Sequence, residues 1–316
     1  MAVTTALVAA PLAAAEAADK VRLVVSTKMP FEMYAPNTAQ GEGFYKDENL
    51  DVSLIYSDGG SSTLQTLITG SQDVTVGVGI LSVVSAFSKG APLVILANTK
   101  RAVNDTVWYV PASSPIKTLK DIGDKELVYS RNGTTSHMAV LDMVKVHGLK
   151  DAKLVSVGGM SASRTQVMTG QVATGWMVAP IGFDLLRKGE IRIIASGDDA
   201  ENLRDVSIRV YAANSDWVAK NRDVAMRFMR ATWRGLEAQY KGGDGPIRRY
   251  AKEWNLEFDD AKRASEFVKF DDVTFAPIGN LEKVLRIAQE EGHIREPLTE
   301  EQKKKLVDFV YLPEKK

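Results

Sequence analysis

The sequence predicts an α/β protein built from two similar modules that face one cleft. Residues 58–97 and residues 157–195 share an order of features: Gly-Gly, Thr-Gly, a glycine within an apolar run, Lys-Gly and a β-rich end. Before residue 215, β-rich runs alternate with helical patterns, which is typical of a parallel sheet with helices on both faces. A solenoid needs at least three repeats. The two copies therefore predict a pair of modules.

Composition excludes several classes of protein. The 316 residues are enough for two domains, and 40 basic side chains balance 40 acidic ones, which argues against a nucleic-acid surface. The chain has no cysteine, so disulfides, thiolate metal sites and cysteine nucleophiles are excluded. Three scattered histidines argue against a metal site, and no cofactor is predicted. Beyond the leader, no apolar run is long enough to span a membrane.

Residues 1–18 resemble a secretory signal peptide, because they are almost all small and apolar and end in Ala-Ala-Ala-Glu-Ala-Ala, just before Asp19 and Lys20. We expect cleavage near Ala15 to Ala18. A positive n-region is missing, so we expect a truncated signal or a misassigned start. The alternative is an Ala-rich tail on a cytosolic protein. The absence of thiols fits export to an oxidising compartment.

The elements are predicted in chain order. Strands are expected at residues 21–26, 51–56, 74–78, 93–98, 106–110, 126–130, 151–157 and 207–213. Helices are expected at residues 34–48, 118–122 and 134–147, and the last is stopped by Gly148. The Pro/Ser patch at 111–115 marks the first crossing between modules, and the strand at 207–213 marks the return. The predicted domains are residues 19–107 with 211–316, and residues 108–210.

After residue 215 the pattern becomes helical, and it predicts an arm that packs on the first module, across the cleft mouth, or both. The predicted helices are residues 216–240, 246–254, 259–267, 281–291 and 299–310. In the last of these, Thr299 and Gln302 have capping-box spacing.

Two turns with hydroxyl residues are candidate anion sites. Gly60, Ser61 and Ser62 follow a strand and open a helix, and Thr134 and Thr135 do the same in the second module. The first N–H groups of a helix have no internal partner and lie at the positive end of its dipole, so they can bind a carboxylate, a sulfonate or nitrate. For either turn alone, ordinary N-capping is the more common explanation. Their paired placement after strand ends, where α/β sheets bind ligands, makes a ligand an equal alternative.

Further candidates surround these turns. Gly79 leaves room for close approach after a strand, and Trp176 occupies the matching region of the second copy. Trp176 can stack on a flat ligand or simply fill the core. Met29 and Phe31 could form an apolar wall, with the same alternative. Arg131 could pair with an anion, although a solvated surface charge is the more common outcome.

The sequence contains none of the common catalytic motifs. It has no Gly-x-Ser-x-Gly, His-Glu-x-x-His or Asp-rich calcium loop, and no phosphate-binding loop. Acid pairs such as Asp198-Asp199 lie at turns or helix starts, where they usually cap helices. No catalytic residue is predicted.

The order of these motifs resembles the periplasmic solute-binding proteins of ABC importers, in the branch of the nitrate, sulfonate and taurine binders and the NMT1/THI5-like proteins. The resemblance covers about residues 20–310. It rests on residues 43–52, residues 67–73, residues 132–135 with Gly148-Leu149, and residues 168–180. Asn49 replaces the family's usual glycine, and residues 173–175 lack an Asp that is frequent there.

The resemblance implies two Rossmann-like lobes joined by hinge strands (periplasmic binding protein type II), with a helical C-terminal arm. It implies an extracytoplasmic, monomeric protein that closes on a small organic anion, a sulfonate or a carboxylate with aromatic ones included, and passes it to ABC permease transmembrane subunits. Two alternatives remain at this point. One is an enzyme on the same fold, of the thiamine-precursor or menaquinone-pathway type. The other is a ligand-sensing extracytoplasmic domain.

Overall fold

A computed structural model describes residues 17–57 and 59–314, except for the side chain of Ser61. The leader expected at residues 1–18 therefore lies almost wholly outside the described residues. The strands are β1 (Asp19–Val25), β2 (Leu50–Tyr56), β3 (Val74–Gly79), β4 (Leu93–Arg101), β5 (Thr106–Pro111), β6 (Glu126–Tyr129), β7 (Lys153–Ser156), β8 (Gly175–Val178), β9 (Ile191–Ser196) and β10 (Ser207–Asn214).

The helices alternate with the strands up to β10 and then follow one another. They are α1 (Ala35–Gly41), α2 (Phe44–Asp47), α3 (Gly60–Ile68), α4 (Ile80–Ser88), α5 (Thr135–His147), α6 (Met160–Met168), α7 (Phe183–Arg187), α8 (Ser215–Lys220), α9 (Arg222–Lys241), α10 (Asp244–Trp254), α11 (Phe258–Glu266), α12 (Leu281–Glu290) and α13 (Glu300–Leu306). A short 3-10 turn, Phe31–Tyr34, precedes α1.

The strands form two separate layers, which confirms the predicted two-lobed α/β fold. The first lobe is built on a five-stranded sheet with the order β2-β1-β3-β10-β4. The second lobe contains a three-stranded sheet, β8-β5-β9, and the pair β6-β7. The indole N–H of Trp108 in β5 donates to the Val128 carbonyl of β6 at 2.7 Å, which joins the two parts of the second lobe.

The expectation of a wholly parallel sheet is wrong. β1 runs parallel to β2 and β3, but β10 is antiparallel to both β3 and β4. In the second lobe, β5 is antiparallel to β8 and β9. β5 and β10 are each the first strand after the chain crosses from one lobe to the other. Each enters its sheet from the opposite end to the strands that follow a helix of the same lobe, so it runs antiparallel to its neighbours.

Both copies of the sequence repeat fold in the same order. The first copy forms α3-β3-α4-β4 and the second forms α6-β8-α7-β9. The Thr-Gly step ends the first helix of each copy, and Gly70 and Gly170 there have φ values of 70° and 75°. A left-handed glycine at a helix C-terminus satisfies the last carbonyls at low steric cost. The repeat is therefore reproduced at the level of backbone conformation.

Three predicted helices differ in extent. The helix at 34–48 is broken at Gly43, whose φ is 79°, and the helix at 216–240 is interrupted at Asn221. The last helix ends at Leu306 rather than at residue 310, because Val307 forms a β-bridge with Ile95. Its capping box of Thr299 and Gln302 is confirmed.

The C-terminal arm packs on both lobes. α9 packs on α1 and α12 packs on α4 of the first lobe, whereas Phe267, next to α11, lies 5.9 Å from the ring of Phe183 in α7 of the second lobe. Arg187 of α7 also pairs with Asp260 of α11. In the part of the chain that the structure describes, no helix combines the length and apolar character needed to cross a bilayer.

The chain crosses between the lobes twice, at residues 102–105 and residues 197–206. The predicted borders at 107/108 and 210/211 fall inside β5 and β10, and the division into domains stays a prediction. The two crossings touch, because a Cβ atom at Gly197 would lie 2.1 Å from the carbonyl oxygen of Val103. Close contact of these two segments fixes the base of the cleft.

We expect Gly197→Ala to lower the free energy of unfolding by about 2 kcal/mol, because the added methyl group meets backbone that cannot rotate away. Gly245→Ala is the matched control, since a Cβ there meets nothing within 4 Å. It should be neutral or slightly stabilising. Urea denaturation of the three proteins measures the difference. Equal midpoints for Gly197→Ala and Gly245→Ala would contradict the close contact.

Candidate ligand-binding cleft

A small polar hollow lies between the lobes at the carboxyl ends of their strands. We call it the inner hollow; its volume is about 80 Å³. The first lobe contributes Ser26, Thr27, Gly60, Gly77 and Gly79, and the second contributes Ser130, Thr134, Thr135, Ser136, Met160 and Trp176. Arg209 of β10 also lines it. A hollow of this size holds one small polar group rather than a whole organic ligand.

Four helices begin at the inner hollow. The N-cap residues of α3, α4, α5 and α6 are Gly59, Gly79, Thr134 and Gly159, and in these described helices no side chain caps the first turn. Side chains of Asn214, Asn280 and Thr299 cap three other described helices, and α1, α2, α7, α9, α10 and α11 also begin without a side-chain cap. Helix N–H groups without a side-chain cap are left for solvent or a ligand, and the positive dipole ends favour an anion.

Hydroxyl groups that line the inner hollow are held by local hydrogen bonds. Ser26 Oγ donates to the Gly77 carbonyl at 2.8 Å, and Thr134 Oγ1 donates to the Arg131 carbonyl at 2.7 Å. Ser136 Oγ accepts from the Ser130 N–H at 3.0 Å. These bonds fix the turns rather than neutralise the helix ends. The hydroxyl protons of Ser26 and Thr134 are used within the protein, so the helix N–H groups and Arg209 are the donors that remain for a ligand.

Arg209 lies at the base of the inner hollow within a buried cluster of four charges. Its Nη1 donates to Glu32 at 2.7 Å and to Asp105 at 2.6 Å, and Lys100 pairs with the other oxygen of Asp105. We call Glu32, Lys100, Asp105 and Arg209 the hinge cluster. All four are buried, and the Arg209 side chain keeps only 7% of its exposure. The cluster joins β4, the first crossing, β10 and the 3-10 turn before α1.

The two carboxylates of the hinge cluster differ in acidity. Asp105 is paired with both cations, which holds its pKa at about 2 against the effect of burial. Burial and the neighbouring Asp105 raise the pKa of Glu32. Asp105 is therefore the principal counter-ion of Lys100 and Arg209, and Glu32 is the carboxylate that accepts a proton more easily.

The lobes touch beside the inner hollow. Ser82 Oγ of α4 donates to the Gly133 carbonyl of the second lobe at 3.1 Å. A Cβ atom at Gly79 would lie 3.7 Å from that carbonyl oxygen and 3.8 Å from the Thr135 nitrogen. The starts of α4 and α5 therefore face one another across the cleft, which brings helix ends from both lobes to one ligand position.

Five residues predicted from the sequence line the inner hollow: Gly60, Gly79, Thr134, Thr135 and Trp176. Trp176 donates from Nε1 to the Gly158 carbonyl at 3.3 Å, which holds the indole against the start of α6. That any of these residues contacts a ligand stays a prediction.

The other candidates lie elsewhere. Arg131 is exposed and does not line the inner hollow. Ser62 is exposed and bonds Ser57 and Gly59, and the side chain of Ser61 lies outside the described part of the chain. Phe31 is core: it is 2% exposed and packs edge-on against Tyr240 and Tyr250, so its apolar character reflects packing.

Met29 borders a second space, which we call the outer chamber. It has a volume of about 480 Å³ and opens from the same cleft. Thr27 and Met160 line both spaces, so the inner hollow and the outer chamber are adjacent.

Sequence reasoning missed Arg209. The signal was a single charge in the middle of an apolar β run, Ser-Ile-Arg-Val-Tyr-Ala-Ala, at the predicted return crossing. A cation in a central strand is costly unless it is paired. Its partners Glu32 and Asp105 are 177 and 104 residues away along the chain, and a single sequence does not reveal that pairing.

Two lobes on separate sheets, two crossings and a polar hollow with four helix starts define the class of bilobal solute-binding folds. Comparison with known sequences identifies the family: the NMT1/THI5-like family matches residues 33–242, more than half of the chain. The chain belongs to that family.

Solved structures share this fold, and a curated relative matches part of the chain in sequence. The periplasmic aliphatic sulphonate-binding protein SsuA of Escherichia coli superposes with a TM-score of 0.71 at 18% identity, over 91% of this chain and 97% of that one. The alkanesulfonate-binding SsuA of Xanthomonas axonopodis pv. citri, bound to MOPS, gives 0.72 at 18% identity, over 88% and 92%. YtlA of Bacillus subtilis (strain 168), provisionally named as a binding protein, is 24% identical over 228 residues. That match covers 70% of this chain and 66%, just under two thirds, of YtlA.

The hinge cluster predicts unequal effects of two conservative substitutions. Asp105→Asn leaves two buried cations without their main counter-ion and should cost about 3–5 kcal/mol. Glu32→Gln should cost clearly less, because Glu32 is the member whose neutral form the site already favours. Chemical denaturation at pH 7 measures both. A larger loss for Glu32→Gln would contradict the assignment of Asp105 as principal counter-ion.

His137 predicts loss of stability in mild acid. Its Nδ1 accepts from the Gly133 N–H at 3.3 Å, and burial together with His293, whose ring lies 6.3 Å away, lowers the pKa of His137 from 6.5 to about 4. Between these two values the unfolded chain binds more protons, so stability falls as the pH falls. The ring is half-buried, so solvent screening limits the loss to about 1–2 kcal/mol.

Melting temperatures measured between pH 7 and pH 5 test this effect above the range where most carboxylates titrate. His137→Gln keeps an acceptor for the Gly133 N–H and removes the titration, so its melting temperature should fall less steeply than that of the wild type. Parallel curves would show that His137 does not contribute.

Proposed function

We propose that this protein is the solute-binding component of an ABC importer and that it captures a small organic anion at the inner hollow. The observation that carries the proposal is the convergence of Arg209 with the starts of α3, α4, α5 and α6, none of which has a side-chain cap in the described structure. Each of these elements favours negative charge at the same point.

The local charges favour an oxyanion over a cation. Arg209 gives Nη1 to Glu32 and Asp105, and the same residue lines the inner hollow, so its other N–H groups are the ones that could meet a ligand. The hydroxyl protons of Ser26, Thr134 and Thr135 are donated to backbone carbonyls, so the donors left at the inner hollow are helix N–H groups and Arg209. A carboxylate or sulfonate accepts several hydrogen bonds at once and matches this set of donors.

The solved relatives support a sulfonate as the first anion to test, since one is named for aliphatic sulphonates and another is bound to MOPS. We propose that capture occurs by closure of the lobes about the two crossings, without chemical conversion of the ligand. The proposal places the protein outside the cytoplasmic membrane, where it acts as a monomer and delivers the ligand to transmembrane permease subunits.

Gly79 allows a test that leaves the backbone undisturbed. Its φ of −63° suits any residue, it is the N-cap of α4, and a Cβ there meets only ordinary contacts. Gly79→Asp and Gly79→Asn have the same shape, and both residues are good N-caps. The Asp variant adds a negative charge at the ligand position. We expect it to bind the best anion at least about tenfold more weakly than the Asn variant, a difference of about 1.4 kcal/mol.

The measurement is thermal shift followed by calorimetry, with MOPS, methanesulfonate, benzoate and nitrate, and with choline as a cationic control. A ligand at 100 times its Kd stabilises the folded state by about 2.7 kcal/mol, which is easily seen. Mass spectrometry of the released ligand should show it unchanged. Stabilisation by choline and by none of the anions would refute the proposal, as would equal anion affinity in the Asp and Asn variants.

A further inference from the structure

The outer chamber carries an inference that rests on the proposed function and narrows its ligand. The chamber adjoins the inner hollow through Thr27 and Met160 and is about six times as large, with about 480 Å³ against about 80 Å³. About 150 Å³ is enough for a molecule of benzene. An anionic group bound in the inner hollow can therefore carry a body larger than one aromatic ring into the chamber.

The wall of the outer chamber is mostly apolar. Met29, Met160, Met177, Tyr109, Ile181 and Leu185 contribute to it. Methionine side chains adapt to irregular or flat ligands and make favourable contacts with aromatic rings. Met29 is held there with φ at 82°, a conformation that is uncommon for a residue with a side chain, and its carbonyl accepts from the Tyr250 hydroxyl. The wall suits a hydrocarbon or aromatic body.

Two cations, Lys28 and Arg164, also line the outer chamber, and both are exposed. Lys28 comes from the first lobe and Arg164 from α6 of the second, so they approach the chamber from its two sides. Neither forms an ion pair with an acidic residue among those that the structure describes. Burial raises the pKa of the Tyr109 hydroxyl to about 12, and the charge of Arg164 opposes that rise, so the guanidinium lies near this wall.

We propose that the ligand is a two-ended anion: one acid group binds in the inner hollow at Arg209, an apolar or aromatic body fills the outer chamber, and a second acid group meets Lys28 and Arg164. The donors of the inner hollow and the cations of the outer chamber are separated by an apolar wall, which matches a dianion whose charges are separated by hydrocarbon. A monoanion with the same body offers no charge to Lys28 and Arg164. Selectivity for the dianion then comes from the outer end of the cleft.

The test uses ligand pairs that share one body. Naphthalene-2-sulfonate is compared with naphthalene-2,6-disulfonate, and 2-naphthoate with naphthalene-2,6-dicarboxylate, by calorimetry at low salt. The dianion of at least one pair should bind about fivefold more tightly than its monoanion, since an exposed ion pair contributes up to about that factor. The ratio should shrink as salt is added.

Matched variants of the cationic residues test where the second acid group of the ligand binds. Arg164→Gln should reduce the dianion-to-monoanion ratio to about one or two, and Lys28→Gln should reduce it in part. Arg131→Gln removes an exposed arginine of the same lobe that does not line the chamber, so it should keep the full ratio. Equal affinities within both pairs, or the same loss in Arg131→Gln as in Arg164→Gln, would overturn the inference.

Failure of this inference is distinguishable from failure of the proposed function. If methanesulfonate or benzoate binds but the naphthalene compounds do not, the outer chamber has no such role and the anion site stands. If no anion of either size binds, the proposed function fails and the two-ended ligand fails with it.

Discussion

The hinge cluster is the interaction on which the rest of the cleft depends. Arg209 sits in β10, the strand that returns from the second lobe, and its two carboxylate partners come from the first crossing and from the 3-10 turn before α1. Four buried charges are stable only when each has a partner, so the cluster fixes the relative positions of these segments. The same arginine lines the inner hollow. Under the proposed function, structural pairing and ligand recognition share one guanidinium.

Three of the helices that begin at the inner hollow have glycine at the N-cap position. Elsewhere in the described chain, Asn and Thr side chains cap three helices, and six others begin without a side-chain cap. At the inner hollow, Gly59, Gly79 and Gly159 occupy the N-cap positions of α3, α4 and α6 and supply no capping group. A glycine N-cap costs only a few tenths of a kcal/mol relative to a side-chain cap. The small loss of helix stability leaves N–H groups for a ligand at three points around one hollow.

The sequence predicted the features that depend on local order. The repeat, the strand positions and the helix-opening turns follow from short-range patterns, and Gly60, Gly79, Thr134, Thr135 and Trp176 were found through them. It did not predict features set by distant contacts. Arg209 needs partners more than a hundred residues away, the antiparallel direction of β10 depends on where the chain re-enters the sheet, and Phe31 is core because Tyr240 and Tyr250 cover it.

The contacts between the lobes fall into two energetic groups. At the crossings, the hinge cluster and the Gly197–Val103 contact are buried and cannot separate without a large penalty. On the flanks, the hydrogen bond from Ser82 to Gly133 and the Arg187–Asp260 pair are partly exposed, and such contacts contribute about 1 kcal/mol or less each. The flanks therefore separate at lower cost than the crossings, which is the condition for rotation about a hinge. In the proposed function, a ligand that contacts helix starts of both lobes stabilises the arrangement in which the flanks are together. Its binding therefore favours the closed arrangement over an open one.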